Sequence, residues 1–325
     1  MKTREKGGTM EGILSYESMT KLAYSGAQSI EYPLGPPVVT GTTVTVDIAL
    51  NQPTRITSMI MDLTLQRFII DRIFTSAGGI TGGAVVYDEV AANELYLDRD
   101  IHRVGAGDEF PLVTGVRRAP KVAEPEKWGG KFFMTKEARK RNDVSQFTMR
   151  TRQLGNTVVR KLNQRAIAIL EASITASGQT VVGNNWGSVI TAGGSASNAS
   201  AYPAFDFMNI QTLADNQELG VVIDLWLLNP TNWLRLGTIY GAGLNDVLAS
   251  AGISVFVSPR VPVGIAYAIA SGMLGEFRVE FPLATETADE GAPTLRQRTW
   301  VQTSVSPAMY VTNPFSVFKV TGLGT

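Results

Sequence analysis

From Val144 to Ser177 the chain runs thirty-four residues without a proline. Asp143 stands immediately ahead with Gln146 three positions on, the residue pair of a capping box. Val144, Phe147, Leu154, Val158, Leu162, Ala166, Ile169 and Ile174 follow helical spacing and trace one apolar stripe. At ~1.5 Å per residue this predicts a helix roughly 50 Å long, where globular helices average about 11–12 residues. A fold that contains this chain has to be built along a rod.

The rod is also basic. Eleven lysines and arginines lie between Lys127 and Arg165, against only Glu137 and Asp143, in a chain whose formal charge is zero. The cations carried forward as candidate inter-subunit or DNA-facing residues are Lys136, Arg139, Lys140, Arg141, Arg150, Arg152, Arg160, Lys161 and Arg165. Arg150, Arg160, Lys161 and Arg165 fall largely off the apolar stripe. Such a window reads either as a solvated face with salt bridges to a neighbour, or as a surface that meets nucleic acid or the acids of an adjacent subunit. No aromatics are interleaved for base stacking, so any nucleic-acid contact would be to the backbone, without sequence readout.

Charged residues make up 18% of the 325, below the ~25% of ordinary soluble domains, which suggests surface that is buried against something else. Apolar residues are frequent enough for a packed core. Cysteine is absent, which removes disulfides, thiolate metal sites and a cysteine nucleophile. The single histidine, His102, leaves little for a catalytic triad or a histidine metal site. The N-terminus has no apolar signal region and no apolar run approaches a membrane span, so the chain reads as a soluble protein made without export.

Along the chain, residues 1–54 read as an irregular arm, with an alternating edge strand expected over Thr43–Leu50. Arg55–Thr75 reads as one helix, ended by the four glycines of SAGGITGG (76–83). Ala84–Val90 reads as a strand. The charged stretch that follows alternates in ELYLDRDIHRV and EFPLVTGV, suggesting two strands of an extended hairpin. A free-standing hairpin is marginal in water and persists best lying on another molecule. After Ser177 a compact α+β half is expected, with six basic and ten acidic residues. Its helices are placed at Ala204–Leu219, Pro230–Leu236 and 241–252, and its strands at Val221–Leu228, Ile253–Ser258 and Tyr267–Ala270. Arg298–Ser304 and Pro307–Thr312 are read as paired strands, and Phe315–Thr321 as the last one.

Motifs for chemistry are scarce. GGITGG does not fit a dinucleotide fingerprint and precedes a strand. No phosphate-binding loop or nucleophile elbow occurs. His102 reads as a surface residue, and Glu286, Asp289 and Glu290 as a solvated acidic loop. No cofactor, metal or enzymatic activity is expected.

The order of parts carries a resemblance. An arm, a helix, a glycine hinge, a charged hairpin, a basic entry (KWGGKFFMTKEARKRND), a very long helix and a compact α+β unit follow one another. GGAVVYDEV and DEFPLV look like strands bracketing an extended loop. LLNPTNWLRL, ISVFVSPRVPVGIAYAI and NPFSVFKVTG look like steps of an axial domain and the return from it. Together they resemble the major capsid protein of tailed bacteriophages, with the α+β fold of the Hong Kong 97 type.

The resemblance implies an N-terminal arm at 1–54 and an arm-proximal helix at 55–77. It places an extended hairpin loop at 78–134 and the spine helix of a peripheral domain at 135–177. An axial domain would cover 178–296, with returning peripheral strands at 297–325. It implies pentamers and hexamers tiling an icosahedral virion shell, assembled in the host cytoplasm around double-stranded DNA held non-specifically. Hairpin contacts between subunits would fall on Asp98, Arg99, Asp100, Arg103, Asp108 and Glu109. Further partners would be a separate scaffolding protein, a portal and, where one exists, a decoration protein, with no membrane. A covalent crosslink of the kind some relatives form would have to join Lys121 or Lys127 to Asn313. The alternatives are an encapsulin-like shell subunit or a soluble α+β enzyme with a pocket near His102.

Overall fold

The computed structural model describes residues 46–64, 69–90, 101, 103–114, 119–191, 197–290 and 297–324. Helices α1 (Val46–Leu50), α2 (Pro53–Thr64) and α3 (Ile70–Ile73) lead into strand β1 (Thr75–Gly79). Next come β2 (Val85–Tyr87), β3 (Lys121–Ala123) and β4 (Trp128–Thr135), then the short helix α4 (Lys136–Lys140) and the long helix α5 (Val144–Ser177). The second half holds β5 (Thr180–Val182), α6 (Pro203–Asp215), β6 (Leu225–Leu228), α7 (Pro230–Tyr240), α8 (Leu244–Ser250), β7 (Ser254–Val257) and β8 (Ile265–Ile269). Strands β9 (Gly275–Asp289), β10 (Arg298–Val311) and β11 (Val317–Thr321) close the chain.

Helix α5 has the expected bounds and the expected cap. The Asp143 carboxylate accepts from Gln146 N at 2.9 Å, satisfying one of the helix's orphan donors. Gly178 ends the helix in the left-handed region at φ 72°, where a side chain is strained. The buried side carries Phe147, Val158, Leu162, Ala166, Leu170 and Ile174. Each large apolar side chain there contributes about 1.5–3 kcal/mol. Gly155 keeps α2 close, since a Cβ there would lie 3.3 Å from Ile60 Cγ2.

Two sheets meet this rod. The first has the order β1-β9-β10-β4 and the second β5-β11-β8-β6-β7. The second sheet is sandwiched, and the strand period of two decides which residues face where. Leu225, Leu227, Tyr267, Ile269 and Val317 join the cluster containing α5. Their neighbours Trp226, Leu228, Ala266, Ala268 and Phe318 join the cluster with Phe207 and Ile210 of α6, Leu236 of α7 and Leu248 of α8. Both faces of these strands are buried, so they read as continuous apolar runs and not as alternation.

Several elements differ from the expectations. The alternating run 43–50 ends in helix α1 and not in an edge strand, because Val46 N is capped from a distance by Asn142 Oδ1 at 2.7 Å. The single helix expected over 55–75 is α2 and α3, and its last residue, Thr75, begins β1, which pairs parallel with β9. Residues 275–289 form a long strand, so Glu286 and Asp289 sit on a sheet, outside any loop. The two strands expected in 298–312 are one strand, β10, paired with β9 and β4. Register shifts between Ser304 and Pro307 accommodate Pro282 and Pro307, since bulges are where a sheet tolerates proline. Strand pairing in the hairpin is at its root, Val85–Tyr87 with Lys121–Ala123. Residues 103–114 contain no strand, and most of ELYLDRDIHRV lies outside the described residues.

Candidate assembly surface

The root of the hairpin is fastened to the first sheet. Val85 packs with Ile80, Ala308 and Tyr310, and the Tyr87 ring stacks on Tyr310 at 4.6 Å. Tyr310 donates to Glu276 Oε2 at 2.6 Å and accepts from Arg278 Nε at 3.0 Å. Burial, reinforced by the Glu276 carboxylate, pushes its phenol up to about 12. Lys121 pairs with Glu89 at 2.5 Å across the root.

Beyond that anchor, residues 103–114 carry a turn and exposed side chains. Gly107 takes φ 95° in a turn closed by Asp108 N to Gly105 O. Arg103, Asp108 and Glu109 are exposed. So are Phe110 and Leu112, at 81% and 82%. Large apolar side chains this open mark a contact surface. The charges of this loop are plain in the sequence, whereas its apolar tip is signalled only by two large apolar residues inside a charged insertion. Asp98, Arg99, Asp100 and His102 lie outside the described residues.

The nine candidate cations separate into two groups. Arg139 pairs with Asp289 Oδ1 at 3.3 Å and donates to Thr299 Oγ1 at 3.2 Å. Arg150 donates to Phe133 O and lies over the Phe133 ring, 5.5 Å from its centroid. Arg165 forms a forked pair with Glu126, its Nε 2.9 and 3.0 Å from the two carboxylate oxygens. These three brace the fold. Lys136, Lys140, Arg141, Arg152, Arg160 and Lys161 are exposed and make no ion pair among the described residues.

The exposed face of α5 carries Arg152, Arg160 and Lys161 among Gln153, Asn156, Thr157 and Gln164. The only acid between Val144 and Ser177 is Glu171, and it faces the second sheet. Tyr267 Oη and Lys319 Nζ both donate to its Oε1 at 2.7 Å. The Lys319 hydrogen bond, then that of Tyr267, hold its carboxyl below the usual range. The outer face of the helix is therefore a one-sign surface that no acid on the rod offsets.

Buried carboxylate chemistry is accounted for structurally. Asp206 accepts from Trp186 Nε1 at 2.7 Å, Asn184 N at 3.1 Å and Asn184 Nδ2 at 3.0 Å. Burial raises its pKa, and these donors offset part of that rise. Its role is to hold the Trp186 loop against the second core. No group of three or more metal-ligating side chains occurs among the described residues, and no described helix is long and apolar enough to cross a membrane. Asn313 is buried and its Oδ1 accepts from Phe315 N at 3.1 Å, so the residue named for a crosslink is engaged as a turn cap.

A family model described as phage capsid protein matches residues 118–320. The chain belongs to the phage capsid protein family. No curated protein sequence matches it. Solved structures share its fold at low sequence identity. A virus-like particle from Pyrococcus furiosus is 15% identical with TM-score 0.58, covering 82% of this chain and 97% of that one. A structure from Mycobacterium phage Bobi is 11% identical with TM-score 0.57, covering 97% and 100%. The capsid of cyanophage P-SCSP1u is 16% identical with TM-score 0.54, covering 92% and 100%. The fold is the Hong Kong 97 type expected from the order of parts. The capsid protein is a structural shell component.

Proposed function

We propose that copies of this capsid protein form pentamers and hexamers tiling an icosahedral shell around double-stranded DNA. The hairpin loop, 78–134, lies on a neighbouring subunit, and the arm, 1–54, embraces an adjacent one. The axial segment, 178–296, gathers at the symmetry axes, and strands 297–325 return to the peripheral layer beside the spine, 135–177. A separate scaffolding protein and a portal take part in assembly in the host cytoplasm, with a decoration protein where one exists.

The observation that carries this reading is the hairpin tip. An excursion over residues 88–120, doubled back on itself, can reach roughly 50 Å at ~3.3 Å per residue. It exposes Phe110 and Leu112. A second copy offers the same surface reciprocally, the basis of closed symmetric assembly. The one-sign face of α5 supports the DNA contact: Arg152, Arg160 and Lys161 neutralise phosphates without reading bases.

The test is electron microscopy of particles from wild type and from an Arg152→Glu, Arg160→Glu, Lys161→Glu variant. Arg165 is left intact because it holds Glu126. Closed shells from wild type, and DNA-poor or malformed ones from the variant, are expected. A chain that stays monomeric with its phage partners present would refute the shell reading. Unchanged DNA retention in the variant would refute the DNA-facing role.

A further inference from the structure

Strand β4 is the outer strand of the first sheet, and its peptide groups alternate between two directions. Lys136 N donates to Gln297 O at 3.1 Å and Glu126 N to Pro307 O at 3.0 Å. Register is unbroken between them. Even-numbered residues of β4 therefore point their peptide groups at β10, and odd-numbered ones point theirs at the free edge. One of these outward carbonyls, that of Phe133, is already taken by the Arg150 guanidinium. The peptide groups of Gly129 and Lys131 meet no partner among the described residues. A row of unpaired N–H and C=O groups is a template for another strand.

The same place is hollow. A shallow, open groove of about 260 Å³ lies between Lys127 and Lys131, over Gly129, Gln302 and Ser304. Gly129 has no side chain to stand in this groove, and β10 packs too close for one: a Cβ there would come 2.5 Å from Thr303 O. Lys131 Nζ caps the Trp300 ring at 4.7 Å, so its charge is held at the rim. The site thus offers backbone donors and acceptors, a bare glycine in an open groove and two cations. It calls for an extended segment with an anion and an aromatic residue two positions apart.

Among the described residues the hairpin holds such a segment, already exposed. In Asp108-Glu109-Phe110-Pro111-Leu112, Asp108, Phe110 and Leu112 share one side of an extended backbone. Pro111, which has no N–H to give, falls on the alternate set. We propose that this segment of a second copy adds to the free edge of β4 as an antiparallel strand. Phe110 lies over Gly129, Leu112 along the Lys127 stem, and Asp108, whose N–H stays with Gly105 O, opposite Lys131 with its C=O free to accept. Backbone pairing gives the affinity and the alternate side chains the register, with the aromatic ring covering the edge glycine. Pro111 then faces outward and blocks a further strand. This rests on the shell reading, and it names the surface on which the neighbour's hairpin is received.

The native chain has no cysteine, so introduced thiols report cleanly. Directly opposite residues in hydrogen-bonded register have Cα atoms about 5.5 Å apart, within disulfide range. Full-length D108C and K131C, carrying different tags, are co-assembled and mildly oxidised; D108C with K127C is the off-register control. The expected result is a disulfide-linked heterodimer from D108C with K131C, several-fold above the control. Intact particles with no such product, or equal product from both pairs, would overturn the proposal while leaving the shell reading standing. A D108C/K131C chain that closes only on itself would overturn the assignment to a second copy. Failure of every variant and of wild type to assemble would overturn both readings.

Discussion

Lys319 Nζ sits 2.7 Å from Glu171 Oε1, joining the last strand of the chain to the C-terminal part of the long helix. The contact follows from parity: Lys319 is on the same side of β11 as Val317, the side that packs against α5. Lys319→Met should lower the stability of the unassembled subunit by about 1 kcal/mol, the scale of a partly exposed ion pair with a shared hydrogen bond. Glu171 has its folded pKa depressed. The pair's contribution is therefore complete above the ordinary carboxylate pKa and is lost as pH falls through the folded value. Thermal melts of wild type and variant should differ at pH 7 and converge in acid below the usual carboxylate range. A gap that persists there would mean the lysine acts through packing alone.

Gly275 opens β9 where a Cβ would collide with Tyr310 O and lie 2.8 Å from Val311 Cα. Both obstacles are backbone, so neither can swing aside. Gly275→Ala should cost about 1–3 kcal/mol, the range of overpacking a fixed site. Urea midpoints and soluble yield check it. A variant as stable as wild type would show that the β9–β10 pairing shifts easily.

The legible parts of this fold were those specified locally. Asp143, Gln146 and the apolar stripe marked α5 because cap and face lie within the helix's own sequence. The apolar runs at Val221–Leu228 and Tyr267–Ala270 marked core strands for the same reason, and the strands there run Leu225–Leu228 and Ile265–Ile269. What was missed is determined at long range. Helix α1 depends on Asn142, ninety-six positions away. Strand β9 is polar, contains Pro282 and looks like a loop until β10 is beside it. At the candidate surface the cation cluster was visible. Its division was not, because which arginines are spent depends on where Phe133, Glu126 and Asp289 lie in space. The free edge of β4 left only a faint sequence trace, a Gly-Gly pair between two lysines.

Asn142 occupies the left-handed region at φ 53° while its Oδ1 accepts from Val46 N. Asn142→Gly keeps the backbone and loses the cap. Asn142→Ala loses the cap and adds strain. Losing a helix cap costs about 1 kcal/mol, and the alanine variant should lose roughly 1 kcal/mol more for the left-handed backbone. Limited proteolysis within 46–52 should accelerate in the order wild type, glycine, alanine. Equal cleavage in all three would mean this end of the described chain is held by Leu50 and Ile56 and not by the cap.

Arg150 and Arg152 are two residues apart on one helix, yet they have different fates. Arg150 closes the edge of β4 at Phe133 O and lies over the Phe133 ring, whereas Arg152 is exposed on the outer face. Removing Arg150 reopens a partly buried carbonyl and a ring face, so Arg150→Met should destabilise the free subunit by about 1–2 kcal/mol. Arg152→Met should leave stability within about 0.5 kcal/mol, as surface substitutions do. It should instead weaken binding of the unassembled subunit to duplex DNA and flatten its salt dependence. Paired measurements of urea midpoint and salt-titrated DNA binding separate the two. The reverse pattern, with Arg152 the stabilising residue, would mean that the cations were sorted wrongly between bracing the fold and facing the polyanion.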